Sequence, residues 1–223
     1  MKASASQQRN GNVSAAPDDR GADWRIYRKI IENNYANHQD AYDRLRGFVA
    51  AQAPAGYRFF DIACGDAGLT TLRFNFRGVG ASTGEHNEIE GGKEDVRDVL
   101  NYIGVNYTGE DLTLAGFSFG SRTALEVGYD ENRVARLISV GTPIDKYGDY
   151  DFLTRTRKPI LFIHGDKDEF GSVDKVRRLV EDVSKNADTE LVVFENSGHF
   201  LDEHLNELRE AVRDWVSRKI QTG

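Results

Sequence analysis

Leu112-Thr113-Leu114-Ala115-Gly116-Phe117-Ser118-Phe119-Gly120-Ser121 is the stretch on which the reading of this chain turns. Leu112–Ala115 is short and apolar, as a buried strand is, and Phe119–Val127 carries helical spacing. Between them Gly116–Gly120 spells G-x-S-x-G. A strand that passes into a helix through such a bend is the setting of a nucleophile elbow, which thrusts a serine out of a tight turn. A side chain at either glycine is expected to crowd that bend. The plainer alternative is a glycine-lined turn in which Ser118 merely caps the helix.

A serine hydroxyl is a poor nucleophile at neutral pH and needs a base held in place by a third group. Both candidates lie downstream. Asp168 stands in His164-Gly165-Asp166-Lys167-Asp168, just past the strand Pro159–His164. His199 stands in Asn196-Ser197-Gly198-His199-Phe200, between the last strand, Glu190–Glu195, and the last helix, 202–219. All three residues fall at the carboxyl ends of strands, where open α/β sheets build their sites. Asp166 rivals Asp168, although a turn also explains it. His199 has a surface-loop alternative. His164 and Asp166 hint at a metal, but no further ligands gather with them, so no metal is expected.

Outward from this centre, strands and helices alternate. Residues 93–103 place Val96, Val99, Leu100 and Ile103 on one helical face, and 173–185 does the same with Val173, Val176, Leu179, Val180 and Val183. Leu137–Val140 and Leu72–Phe76 read as further strands. Upstream, Tyr57–Ala63 is a strand ending in a glycine turn, and 23–52 is an amphipathic helix. Residues 1–22 hold too little apolar surface to offset their ordering entropy and read as a disordered tail. The fold class is therefore α/β: three layers, with a mostly parallel sheet of about six strands and the long N-terminal helix over one face. Residues 23–68 and 69–223 are expected to pack as one domain. The linker 141–158 is too short for a large lid, so an open site bordered by Tyr147, Tyr150 and Phe152 is expected.

Composition narrows the function. The 223 residues carry 29 basic and 36 acidic side chains, a net charge of −7, which argues against a nucleic-acid partner. With 39% hydrophobic residues the chain is not wholly disordered. The single cysteine, Cys64, rules out an internal disulfide and a cysteine-built zinc site. The opening MKASASQQRN has no apolar core, and no run approaches the roughly 20 apolar residues of a membrane span. A soluble cytoplasmic protein without a membrane partner is expected.

Residues from about Thr70 to Ile220 resemble the later two-thirds of a small, cap-free α/β-hydrolase. The carrying motifs are Leu72–Gly80, Gly116–Gly120, His164–Asp168 and Gly198-His199-Phe200. The resemblance implies Ser118 as nucleophile, His199 as general base, Asp168 as its orienter and the Phe119 amide as one oxyanion donor. It implies a small ester-type substrate and no cofactor. That family has three more strands before Leu72 and a His-Gly-type loop supplying a second oxyanion amide, and the sequence lacks them, so weak activity is expected. Residues 24–68 instead resemble the start of a class I S-adenosylmethionine-dependent methyltransferase, through Phe59-Phe60-Asp61-Ile62-Ala63-Cys64-Gly65-Asp66-Ala67-Gly68. The helix and ribose-binding acid that should follow are missing, so a cofactor-binding fragment ranks last.

The chain thus reads as a chimera joined near residue 68. Natural recombination, a misassembled gene and engineering all fit, engineering being preferred, and an engineered fold without activity is the alternative function. Only residues 64–70 separate Tyr57–Ala63 from Leu72–Phe76, too few for the crossover between parallel neighbours. An antiparallel hairpin or donation of the first strand to another molecule remains, and a homo-oligomer, in one form a strand-exchanged dimer, is expected.

Overall fold

Ile160 and Phe162 turn to one side of their strand and Leu161 and Ile163 to the other, and all four are wholly buried. A strand apolar on both faces belongs inside a parallel sheet covered on both sides. The computed structural model describes residues 72–79, 82, 84–86, 88–106 and 111–221. Among them, strands β1 (Leu112–Phe117), β2 (Val134–Val140), β3 (Ile160–Gly165) and β4 (Thr189–Phe194) lie side by side in chain order, all parallel. The register sets Ala115 beside Ile138, Ile138 beside Leu161, and His164 beside Val193. The helices are α1 (Glu88–Asn106), α2 (Phe119–Gly128), the single turn α3 (Ile144–Tyr147), α4 (Val173–Ser184) and α5 (Leu205–Gln221).

Right-handed crossovers between parallel strands put the connecting helices on one face. Accordingly Val96 and Leu100 of α1, Leu125 and Val127 of α2, and Leu179 and Val183 of α4 pack with Leu137, Ile160 and Phe162. The opposite face, with Ile138, Leu161 and Ile163, lies under Leu208, Val212, Trp215 and Val216 of α5. Among the described residues α5 alone covers that face. The helices expected at 93–103, 119–127, 173–185 and 202–219 are therefore present.

The mostly parallel sheet is as expected, and one of its expected strands is not formed. Four strands are described where about six were expected. Tyr57–Ala63 lies outside the described residues, as do the tail 1–22, the helix 23–52 and the choice between hairpin and strand exchange. Leu72–Phe76 is not a strand: it forms no ladder with a described neighbour, and a strand exists only through such a ladder. Side chains hold it instead. Phe76 meets Phe74 edge-on at 5.2 Å and Phe119 at 4.9 Å. Just beyond, the Arg77 amide and Nε both donate to the Asp95 carboxylate of α1 at 2.8 Å.

Candidate active site

Gly116 lets β1 end against the first turn of α2. A Cβ there would stand 2.1 Å from the Gly120 carbonyl oxygen and 2.5 Å from the Ser121 nitrogen, both rigid backbone. Gly120 differs from expectation: a Cβ at this position would meet only Phe76 Cε2, at an ordinary 3.6 Å. The crowding is one-sided because it is the strand end, not the helix start, that is pressed against backbone. Between the two, Ser118 takes φ 53° and ψ −120°, a strained conformation for a residue with a side chain. Its N–H donates to the Val140 carbonyl at 2.9 Å, and its own carbonyl accepts from the Ser121 and Arg122 amides. The Ser118 side chain makes no capping bond, so the plain turn reading does not describe it.

The freed hydroxyl lies 2.7 Å from His199 Nε2, and His199 Nδ1 lies 2.8 Å from Asp168 Oδ2. A carboxylate only accepts, so Nδ1 carries the proton and Nε2 is left to accept from the serine hydroxyl. The other Asp168 oxygen accepts the Phe170 amide at 2.8 Å. The Asp168 side chain is wholly buried and that of His199 is 3% exposed. Asp166 faces elsewhere: it accepts the Ser197 amide at 3.1 Å, while the Lys167 amide donates to the Ser197 carbonyl at 2.9 Å. These bonds staple the turn after β3 to the loop bearing His199. Gly165 permits that closeness, since a Cβ there would sit 2.3 Å from the Ser197 oxygen. His164, wholly buried, shares a 2.5 Å hydrogen bond from Nε2 to the Gly171 carbonyl.

Phe119 occupies the first position of α2, where an amide has no intrahelical acceptor and the positive end of the helix dipole lies. Its ring packs edge-on against Phe76 and His86. The border of the site also departs from expectation. Tyr150 is 3% exposed and stacks on Phe152, with the Arg122 guanidinium 4.6 Å and 4.9 Å from the two ring centres. Arg122 is itself nearly buried, and these rings together with Glu126 are its cover, so both aromatics belong to the core. Burial pushes the Tyr150 hydroxyl well above its ordinary value. Tyr147 alone reaches the neighbourhood, 6.1 Å from Phe119. Three rings that sequence reasoning missed surround His199: Phe117 at 4.9 Å, Phe170 at 4.7 Å and Phe200 at 5.5 Å. Phe200 is 60% exposed, beside His199 in the chain. Its place in the Gly198-His199-Phe200 motif was the available signal. Phe117 had none beyond its place in the elbow string, and Phe170 had none.

A parallel sheet with helices on both faces and a serine at a strand-to-helix elbow defines the α/β-hydrolase class. The chain belongs to it: residues 57–217 match the alpha/beta hydrolase domain family. The match takes in Tyr57–Gly68, the stretch that resembles a methyltransferase motif. An alpha-beta serine hydrolase homologue from Coxiella burnetii is similar at 37% identity and TM-score 0.62, over 70% of this chain and 75% of that one. A serine hydrolase without a lid from Xanthomonas campestris is similar at 31% identity and TM-score 0.64, over 73% and 72%. An uncharacterized protein of Rickettsia prowazekii is 28% identical over 157 residues, 68% of this chain, and the chain spans 66% of that protein's length. No described helix is long and apolar enough to cross a membrane.

Proposed function

We propose that this chain is a serine hydrolase of esterase type acting on small acyl esters in the cytoplasm. The observation that carries the reading is the pair of short contacts, 2.7 Å and 2.8 Å, linking the Ser118 hydroxyl through His199 to Asp168. In the proposed reaction Ser118 Oγ attacks the ester carbonyl carbon while His199 Nε2 takes its proton. Asp168 holds the imidazole in the required tautomer and offsets the charge it gains. The Phe119 amide donates to the oxyanion. The protonated His199 then gives its proton to the departing alkoxide, leaving an acyl-Ser118 ester and a free alcohol. Water attacks that ester with His199 again as base, and the carboxylic acid is released.

Turnover is expected to be low. A loop supplying the second oxyanion amide has no counterpart in the sequence before Leu72, and one missing donor costs about 10²–10³ in rate. A join near residue 68 accounts for that loss and belongs to this reading. The test is incubation with a fluorophosphonate probe followed by intact mass. One adduct is expected on the parent and none on Ser118→Ala. A parent that takes no label overturns the catalytic reading in favour of a joined fold that keeps these side chains without using them.

A further inference from the structure

We propose that Lys146 makes the Ser118 site selective for esters that carry a carboxylate on an aromatic body. The proposal rests on the reading of Ser118 as the nucleophile and names the substrate class for it. The Asp145 amide donates to the Phe170 carbonyl at 3.0 Å, and the Ser172 amide donates to the Asp145 carboxylate at 2.5 Å. An ion pair from Lys175 to Asp145 completes the tie between α3 and the loop after Asp168. The charge of Asp145 is thereby met by Lys175. Lys146, the next residue and exposed, has no ion pair among the described residues, and none joins it to Glu169 beside Phe170.

Its ammonium lies 5.2 Å from the Tyr147 ring centre and 5.6 Å from that of Phe170. Phe170 meets His199 edge-on at 4.7 Å, and Tyr147 meets Phe119 at 6.1 Å. The contacts therefore close a circuit, from Ser118 through Phe119, Tyr147, Lys146 and Phe170 to His199 and back to Ser118. A cation without an ion pair among the described residues thus sits three contacts from the serine by either route, with an aromatic ring on either side. Rings suit an aromatic substrate body, and the ammonium suits a carboxylate at its far end. Lys146 Nζ lies within about 10 Å of the imidazole centre, a span comparable with the ~10 Å screening length at 0.1 M salt.

The test compares 4-acetoxybenzoate with methyl 4-acetoxybenzoate, the same aryl acetate without the charge. The readout is the ratio of kcat/KM for the two esters, so any general loss cancels. Lys146→Met should lower the ratio about three- to five-fold and Lys146→Glu about ten-fold, while Lys146→Arg keeps it. Raising the salt to about 0.5 M should lower the ratio of the parent but not that of Lys146→Met. A ratio indifferent to these substitutions overturns the proposal. If neither ester is turned over, fluorophosphonate labelling decides the nucleophile reading and Lys146 is judged by binding alone. Calorimetric titration of 4-acetoxybenzoate into Ser118→Ala should then show the same three- to five-fold weakening when Lys146→Met is added. Equal affinities, or no binding to either, overturn it.

Discussion

At Ser118 the backbone itself records what the site demands. A φ of 53° in a residue with a Cβ costs on the order of 1–3 kcal/mol, and the fold holds it there by bonding both the amide and the carbonyl of Ser118. Ser118→Ala and Ser118→Gly both lose the hydroxyl and its contact with His199, so the difference between them isolates the strain. Glycine relieves it and gives back about 0.5–1 kcal/mol in unfolded-chain entropy. Urea denaturation is therefore expected to find Ser118→Gly more stable than Ser118→Ala by about 1 kcal/mol. The reverse order would mean the elbow is unstrained. Ser118, Asp168 and His199, which the structure brings together, could be singled out in the sequence because each follows the end of a strand within three residues of a glycine. Lys146 and Phe170 were not, because they meet only when loops following two different strands are folded together.

At the scale of elements, one loop joins three of them through charge. Arg133, between α2 and β2, donates from Nε and a terminal nitrogen to the two Glu131 oxygens at 2.8 Å and 2.9 Å, and also reaches the Leu100 carbonyl of α1 at 2.8 Å. Lys158, just before β3, donates to the carbonyl of Gly128, the last residue of α2, and to that of Glu131 in the loop beyond. The Arg133 guanidinium, outweighing desolvation, holds the Glu131 carboxyl down to about 2. That value lies below the unfolded one near 4.5, so the stabilisation is complete above about pH 4.5 and fades as pH falls toward 2. Arg133 keeps 35% of its side chain in water, so screening reduces the contribution to about 1 kcal/mol. Glu131→Gln is expected to cost that much at pH 7 and progressively less on acidification. A difference constant with pH would overturn the account. Helices were legible at this scale: of Val173, Val176, Leu179, Val180 and Val183, which spacing sets on one face, Val176, Leu179 and Val183 are buried and the other two half-buried. Leu72–Phe76 was not, because its alternation shows that it could be a strand, while only a neighbour makes it one.

For the molecule as a whole, the edges of the sheet matter more than its centre. Every residue of β3 is buried, whereas every residue of β1 is only half-buried, although Leu112, Leu114 and Phe117 make it equally apolar. Among the described residues β1 has a partner on one side, β2. Where nothing else in the chain pairs with its other side, such an apolar strand is a template for another chain. The net charge of −7 opposes self-association at long range, but salt screens it, whereas edge pairing and apolar burial act at contact. The balance favours association, so light scattering coupled to sizing is expected to find a dimer or larger species, with the larger fraction growing as salt is added. A particle of 25.0 kDa at every concentration and ionic strength would overturn this, and would mean that residues of the same chain outside the described ones complete the edge.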